Sequence, residues 1–217
     1  MKKLLIFASG GKEPDDGGLG FQELVENARA GVLEAEIVAV VSNHIHGGVR
    51  ARADKLGIRF VYFPLPREAE DYQRIVTETQ ADFVALSGWL KMTKGLNSAR
   101  TINIHPGDAK RFGGPGMYGH FVHEAVIKAY HEGTVKCSAV TMHFVTEKYD
   151  DGPDFFRYPV VIRLDETPET LAKRVNKIEH AWQSYITNLV IKGDICWDGR
   201  NSSTLKVPRL VPILEVR

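Results

Sequence analysis

The chain has 217 residues, 43% hydrophobic and 25% charged, an ordinary globular composition with enough length for one large domain. A formal net charge of +1 offers no general attraction to nucleic acid or to an anionic membrane, so neither is expected as a partner. Cys137 and Cys196 are too few for a disulfide framework and form no Cys-x-x-Cys pair, so they read as reduced structural thiols of a cytoplasmic protein.

The first element is "LLIFAS" (4–9). Behind Met1-Lys2-Lys3 it imitates a signal peptide, but glycines and acidic residues end the apolar run too early for one, or for a bilayer span. It reads as a buried strand. "IVAVVS" (37–42), "RFVYF" (59–63) and "DFVALSG" (82–88) are further β-rich runs whose continuous hydrophobicity fits strands covered on both faces. Between them, Phe21, Leu24, Val25, Ala28 and Val32 keep helical period, and "VRARADKLG" and "REAEDYQRIVTETQ" have polar outer faces. "TINIH" (101–105), a helix over 121–131, and strands at 136–145 and 155–163 follow. Thr167-Pro168 reads as an N-cap with proline in the first turn, opening a helix to about residue 192. Its core stripe reads as Leu171, Val175, Ile178, Trp182, Tyr185 and Leu189. "WDGRNSSTLKVP" reads as a hairpin or exposed tail. The expected fold is α/β, a doubly wound Rossmann-like, mostly parallel sheet with helices on both faces. Residues 1–200 form its single domain, and 201–217 a C-terminal tail or hairpin extension.

In such a sheet, ligands bind at the carboxyl ends of the strands. Two segments fall there: the glycine loop "SGGKEPDDGGLG" (9–20) and the end of "TINIH". Period-2 alternation puts Ile102 and Ile104 on one face, and Asn103 and His105 together on the other. An amide and an imidazole at a ligand end can stabilise an oxyanion or pass a proton, although both could equally satisfy backbone groups. Asp150 and Asp151 lie in a Gly-Pro turn after a strand, which is common turn chemistry unless one of them partners His105 and raises its pKa. The first loop matches neither GxGxxG nor GxxxxGK[ST]; as a helix N-terminus it could hold phosphate, if Glu13, Asp15 and Asp16 point away. His44 and His46, and His120 and His123 with His105, supply no complete ligand set, so no metal is expected.

"NIHPG…GGPGMYG", "MHFVTEKYDDGP" and "RVNKIEHAW" occur in that order, and together they resemble the folate-dependent phosphoribosylglycinamide formyltransferases of purine synthesis. The resemblance runs from the first strand to about residue 200. It implies a catalytic trio of Asn103, His105 and Asp150 acting on 10-formyltetrahydrofolate as co-substrate, with protonated His105 and Asn103 steadying an oxyanion. It places Gly18, Leu19, Gly20, Asn176 and Glu179 against the nucleotide substrate, Glu179 on the ribose hydroxyls. It lines the folate pocket with Trp89, Leu90, Lys91, Met92, Val145 and Glu147. The implied partners are these small molecules, with the chain as monomer or homodimer.

Two segments depart from the family pattern. The family's short "GxGSN"-like first turn is longer and more acidic here, with Leu19-Gly20 where Ser-Asn is usual. After His-Pro, the usual "SLLPxxPG" reads "GDAKRFGGPG". Lys110 and Arg111 are therefore expected to restore positive charge near a phosphate. The altered loops leave another amine, such as an amino sugar nucleotide, as an alternative acceptor. A folate- or nucleotide-binding module without turnover is the non-enzymatic alternative. Methionyl-tRNA is disfavoured by the absence of a basic surplus.

Overall fold

Leu4, Leu5, Ile6 and Phe7 are all fully buried, because strand β1 (Lys2–Phe7) runs through the middle of the sheet with both faces covered. The computed structural model describes residues 1–213. The alternation along β1 feeds two cores: Leu4 and Ile6 join the larger cluster, Leu5 and Phe7 the smaller. Seven strands lie in the order β3-β2-β1-β4-β5-β6-β7. β2 (Ala35–Ser42), β3 (Phe60–Tyr62), β4 (Phe83–Leu86) and β5 (Thr101–His105) form a parallel run with β1. β6 (Cys137–Phe144) and β7 (Asp154–Val161) close the sheet in antiparallel fashion.

Helices α1 (Leu19–Arg29), α2 (Gly48–Leu56), α5 (His120–His131) and α6 (Pro168–Lys192) bury apolar residues in the larger core, and α3 (Ala69–Thr79) covers the other face through Tyr72 and Ile75. α4 (Ala109–Phe112) is a single turn. α3 opens on a capping box between Glu68 and Asp71, and α6 on one between Thr167 and Thr170 with Pro168 inside the first turn. Such caps satisfy N–H groups that the helix itself leaves unpaired.

Two apolar readings shift. The first helical stripe stops at Arg29, so Val32 is exposed and Leu33 takes its core place. On α6 the buried face runs through Leu171, Val175, Glu179, Gln183, Ile186 and Val190, while Tyr185 is half exposed. A hydrophobicity count follows the oily residues, but this helix borders a cavity midway and turns two polar side chains inward there. The segment after α6 is not a free tail. Trp197 is buried against Phe144, Cys196 and Lys206 form an antiparallel bridge, and Ile213 bridges to Arg157. Residues 214–217 of the expected extension lie outside the described residues. Among the described residues, no helix is long and apolar enough to cross a membrane.

Candidate active site

The chain leaves β1 toward β2 on one side and later returns as β4 on the other, so the connections diverge at the carboxyl ends of β1, β4 and β5. A cavity of about 620 Å³ opens there. Its walls bring together Asn103, His105 and Asp150 with Gly18, Leu19, Gly20, Asn176 and Glu179, and with Trp89, Leu90, Lys91, Met92 and Val145. Glu147 is the exception. Thr146, Lys148 and Tyr149 line the cavity around it, whereas Glu147 is exposed and off the wall.

Asn103 and His143 are cross-strand partners in the β5–β6 ladder, which makes them neighbours in space. Asn103 Nδ2 lies 3.1 Å from His143 Nε2 and 3.4 Å from Asp150 Oδ1. His143 Nδ1 donates to Phe144 O at 2.8 Å, because a carbonyl can only accept. Its Nε2 lies 3.2 Å from Asp150 Oδ1. The sequence reading passes over His143. The signal was a histidine inside the otherwise apolar run "TMHFV", which becomes meaningful once the strand pairing is known.

His105 is buried, and its Nε2 donates to Phe112 O at 2.9 Å. That leaves Nδ1 as the unprotonated nitrogen, 3.9 Å from Asp150 Oδ1. Burial pulls the imidazole pKa below its ordinary value and outweighs the opposing pull of Asp150. The expectation that Asp150 raises the His105 pKa is corrected: burial wins and the net direction is down. Asp150 is desolvated too, but the hydrogen bond to His143, the nearby His105 and the Gly114 N–H hold its pKa below the usual carboxylate value. Asp151 is exposed, while Asp150 faces the histidines.

The glycine loop resolves its own conflict. Gly11 N–H donates to Asp16 O, and Asp16 N–H to Glu13 O, so residues 11–16 close into an outward turn. Glu13, Asp15 and Asp16 are exposed, and the cavity wall is made by Gly10, Gly17, Gly18, Leu19 and Gly20. Gly18 caps α1 at φ 79°, with no side chain bonding to the helix end. A side chain at Gly20 would meet Ser87 Oγ at 2.4 Å, so the helix start approaches β4 closely there. Lys110 and Arg111 do not line this region. Lys110 turns to the Asp150 loop and Arg111 donates to Thr134 O, which corrects their reading as phosphate contacts.

Across the cavity, Glu179 is buried, its one side-chain hydrogen bond coming from Asn176 Nδ2 at 3.2 Å. Desolvation pushes its carboxyl up to about 7. Trp89 stacks flat on Phe63 within the smaller core while one side of it faces the cavity, so it packs and lines at once. Among the described residues, no group of three or more His, Cys, Asp or Glu side chains is arranged to hold a metal ion.

An α/β sheet with an amide, an imidazole and a carboxylate converging at a strand end defines a group-transfer type of site, able to stabilise an oxyanion and move a proton. The formyl transferase family model matches residues 2–188, and the chain belongs to that family. It is 34% identical over 207 residues to the chloroplastic phosphoribosylglycinamide formyltransferase of Arabidopsis thaliana, covering 90% of this chain and 68% of that protein. It is 29% identical over 192 residues to the phosphoribosylglycinamide formyltransferase of Bacillus subtilis, covering 84% and 91%. Among solved structures, the phosphoribosylglycinamide formyltransferase of Bacillus halodurans superposes with a TM-score of 0.75 at 26% identity, covering 88% of this chain and 95% of that one. The chain spans 68%, 63% and 65% of the lengths of three chloroplastic relatives it matches.

Proposed function

We propose that the protein transfers the formyl group of 10-formyltetrahydrofolate to the amine of glycinamide ribonucleotide, in the cytoplasm, as a monomer or homodimer. The observation that carries this reading is the meeting of Asn103, His105 and Asp150 on the wall of a cavity of about 620 Å³. The activity for which these relatives are named supports the choice of acceptor.

The acceptor nitrogen attacks the formyl carbon, and the carbonyl oxygen becomes an oxyanion to which Asn103 Nδ2 donates. The attacking nitrogen must lose a proton, and the unprotonated Nδ1 of His105 takes it. The resulting imidazolium lies beside the Asp150 carboxylate, which favours its charged form. The carbon–nitrogen bond to the folate then breaks, and the same proton passes to the departing folate nitrogen. The products are the formamide of the acceptor and tetrahydrofolate. No redox step or metal enters this chemistry.

At the acceptor end, the first-turn N–H groups of α1 suit a phosphate, and Glu179 suits ribose hydroxyls, which donate to a carboxylate. Trp89, Leu90, Lys91, Met92 and Val145 supply the largely apolar wall suited to a folate ring.

Glu179 gives a prediction with an unusual sign. Its pKa rises from 4.5 to about 7 on folding, so ionisation disfavours the folded state increasingly from pH 4.5 up to about 7 and constantly above that. Glu179→Gln should therefore raise the Tm at pH 8, leave it nearly unchanged at pH 4, and weaken nucleotide binding. Thermal melts at the two pH values, with calorimetric titration of glycinamide ribonucleotide, check both halves. A lower Tm at pH 8 would contradict the assignment.

The test of function mixes the purified protein with both substrates and follows the formylated product by mass. Product abolished by His105→Ala supports the reading. Folate binding without product would overturn the acceptor and direct the search to other amines.

A further inference from the structure

Lys110 reaches across from α4 to the loop that carries Asp150. Its ammonium donates to Asp150 O at 3.0 Å and to Gly152 O at 2.7 Å, and lies 3.6 Å from Asp154 Oδ1. These groups come from two segments far apart in sequence. One begins at His105, five residues before Lys110; the other runs from the turn after β6 into β7.

The Asp150 loop needs such a hold. Asp150 sits at φ 49°, in the left-handed region that a non-glycine residue keeps where its surroundings hold it there. Two further contacts enforce it from the same side: Gly114 N–H donates to Asp150 Oδ2 at 2.8 Å, and Gly113 packs so tightly that an added Cβ would meet Asp150 Cβ at 2.7 Å. Asp154 is nearly buried, and Arg157 holds its Oδ2. Its Oδ1 has no hydrogen bond, and the Lys110 ammonium is the cation that faces it.

The local sequence is arranged to aim this side chain. Asp108 caps α4 by accepting from Lys110 N–H, which fixes the start of the turn from which Lys110 projects.

We propose that Lys110 is a positioning residue of the transfer reaction: it ties the His105 segment to the Asp150 loop and thereby fixes the carboxylate against the two histidines. The inference rests on the catalytic reading of Asp150 for its effect on rate, but not for its effect on structure. Lys110 touches neither the cavity nor a reacting atom.

Two measurements separate positioning from a general loss of stability. Lys110→Met takes the facing cation from Asp154 Oδ1, but Arg157 still holds the other oxygen of that carboxylate. The variant should lose about 10–100-fold in kcat, the cost of a small misplacement at a reacting centre, with KM for both substrates within about threefold. Lys110→Arg, which keeps donors within reach of the two carbonyls, should recover most of the loss.

The pH profile adds a sign test. The groups that face this cluster are His105 and Asp108 ahead of α4, Asp150 on the loop, His143 on β6, Asp154 and Arg157 on β7, and His123 on α5. Removing a positive charge alone would raise the His105 pKa. A displaced Asp150 would lower it, so the acid limb of the kcat profile should move to lower pH in Lys110→Met.

Amide hydrogen exchange at Gly114, read by NMR, needs no substrate. That N–H is held by Asp150 Oδ2, so it should exchange faster in Lys110→Met and return toward normal in Lys110→Arg. If Lys110→Met cannot be purified, Lys110→Gln must show the same changes at smaller size. Unchanged Gly114 exchange together with an unchanged or upward-shifted acid limb would overturn the proposal. Faster Gly114 exchange in a protein that forms no product would uphold the structural tie while removing the formyl-transfer reading.

Discussion

Replacing His105 by alanine should lower kcat by about 10²–10⁴-fold while leaving folate affinity nearly unchanged, the usual range for losing a positioned acid–base group. The size follows from a lack of substitutes. His143 has its Nδ1–H committed to Phe144 O and its Nε2 pointed at Asn103 and Asp150. His123 lines the same cavity, but burial drives its pKa down to about 4, too weak a base to take a proton from an amine effectively. Single-turnover kinetics with saturating folate would read the chemical step directly.

The pH dependence of the intact enzyme has a definite sign. In the proposed transfer His105 acts as the unprotonated base, and its folded pKa is lowered from 6.5, so activity should hold through neutral pH and fall on an acid limb below 6.5. The same burial costs stability in acid: the shift contributes nothing well above pH 6.5, and the penalty grows as pH falls from 6.5 to the folded pKa. In His105→Ala the limb should disappear from the residual rate. A limb that survives unchanged would assign the titration to another group.

Much of this was legible in the residues. Apolar runs at strand length separated by helical periods gave the parallel half of the sheet, and Thr167-Pro168 marked the start of α6 where the capping box stands. The "NIHPG" and "DDGP" motifs identified side chains that the structure brings to one cavity, although 47 positions separate Asn103 from Asp150. Contacts that depend on register or on side-chain direction were not legible. His143 becomes the neighbour of Asn103 through antiparallel pairing, which leaves no mark in local composition. Lys110 and Arg111 read as phosphate ligands because charge alone was visible. Their direction depends on a single helical turn capped by Asp108. Nor could the sequence weigh burial against the Asp150 charge on His105, since the balance depends on how deeply β5 sits.

Asp150→Asn should cost about 10²–10³-fold in kcat, and it separates charge from conformation more cleanly than alanine would. Asparagine tolerates the left-handed backbone better than most residues, so the φ of 49° can be kept. Its amide oxygen can still accept from Gly114 N–H. What disappears is the negative charge that stabilises an imidazolium at His105 during transfer. Without that charge the His105 pKa falls further, so the acid limb should move down in pH even as the plateau rate drops. Stability should change in the opposite pH direction to that of Glu179→Gln. Asp150 has a lowered pKa in the fold, so its contribution is present above the ordinary carboxylate value and lost as pH falls through the folded one. Wild type should therefore exceed Asp150→Asn in Tm at pH 7, with the gap closing in acid. A variant equal to wild type in rate but lower in Tm would make Asp150 a structural hinge of its loop and leave His105 to carry the proton without it.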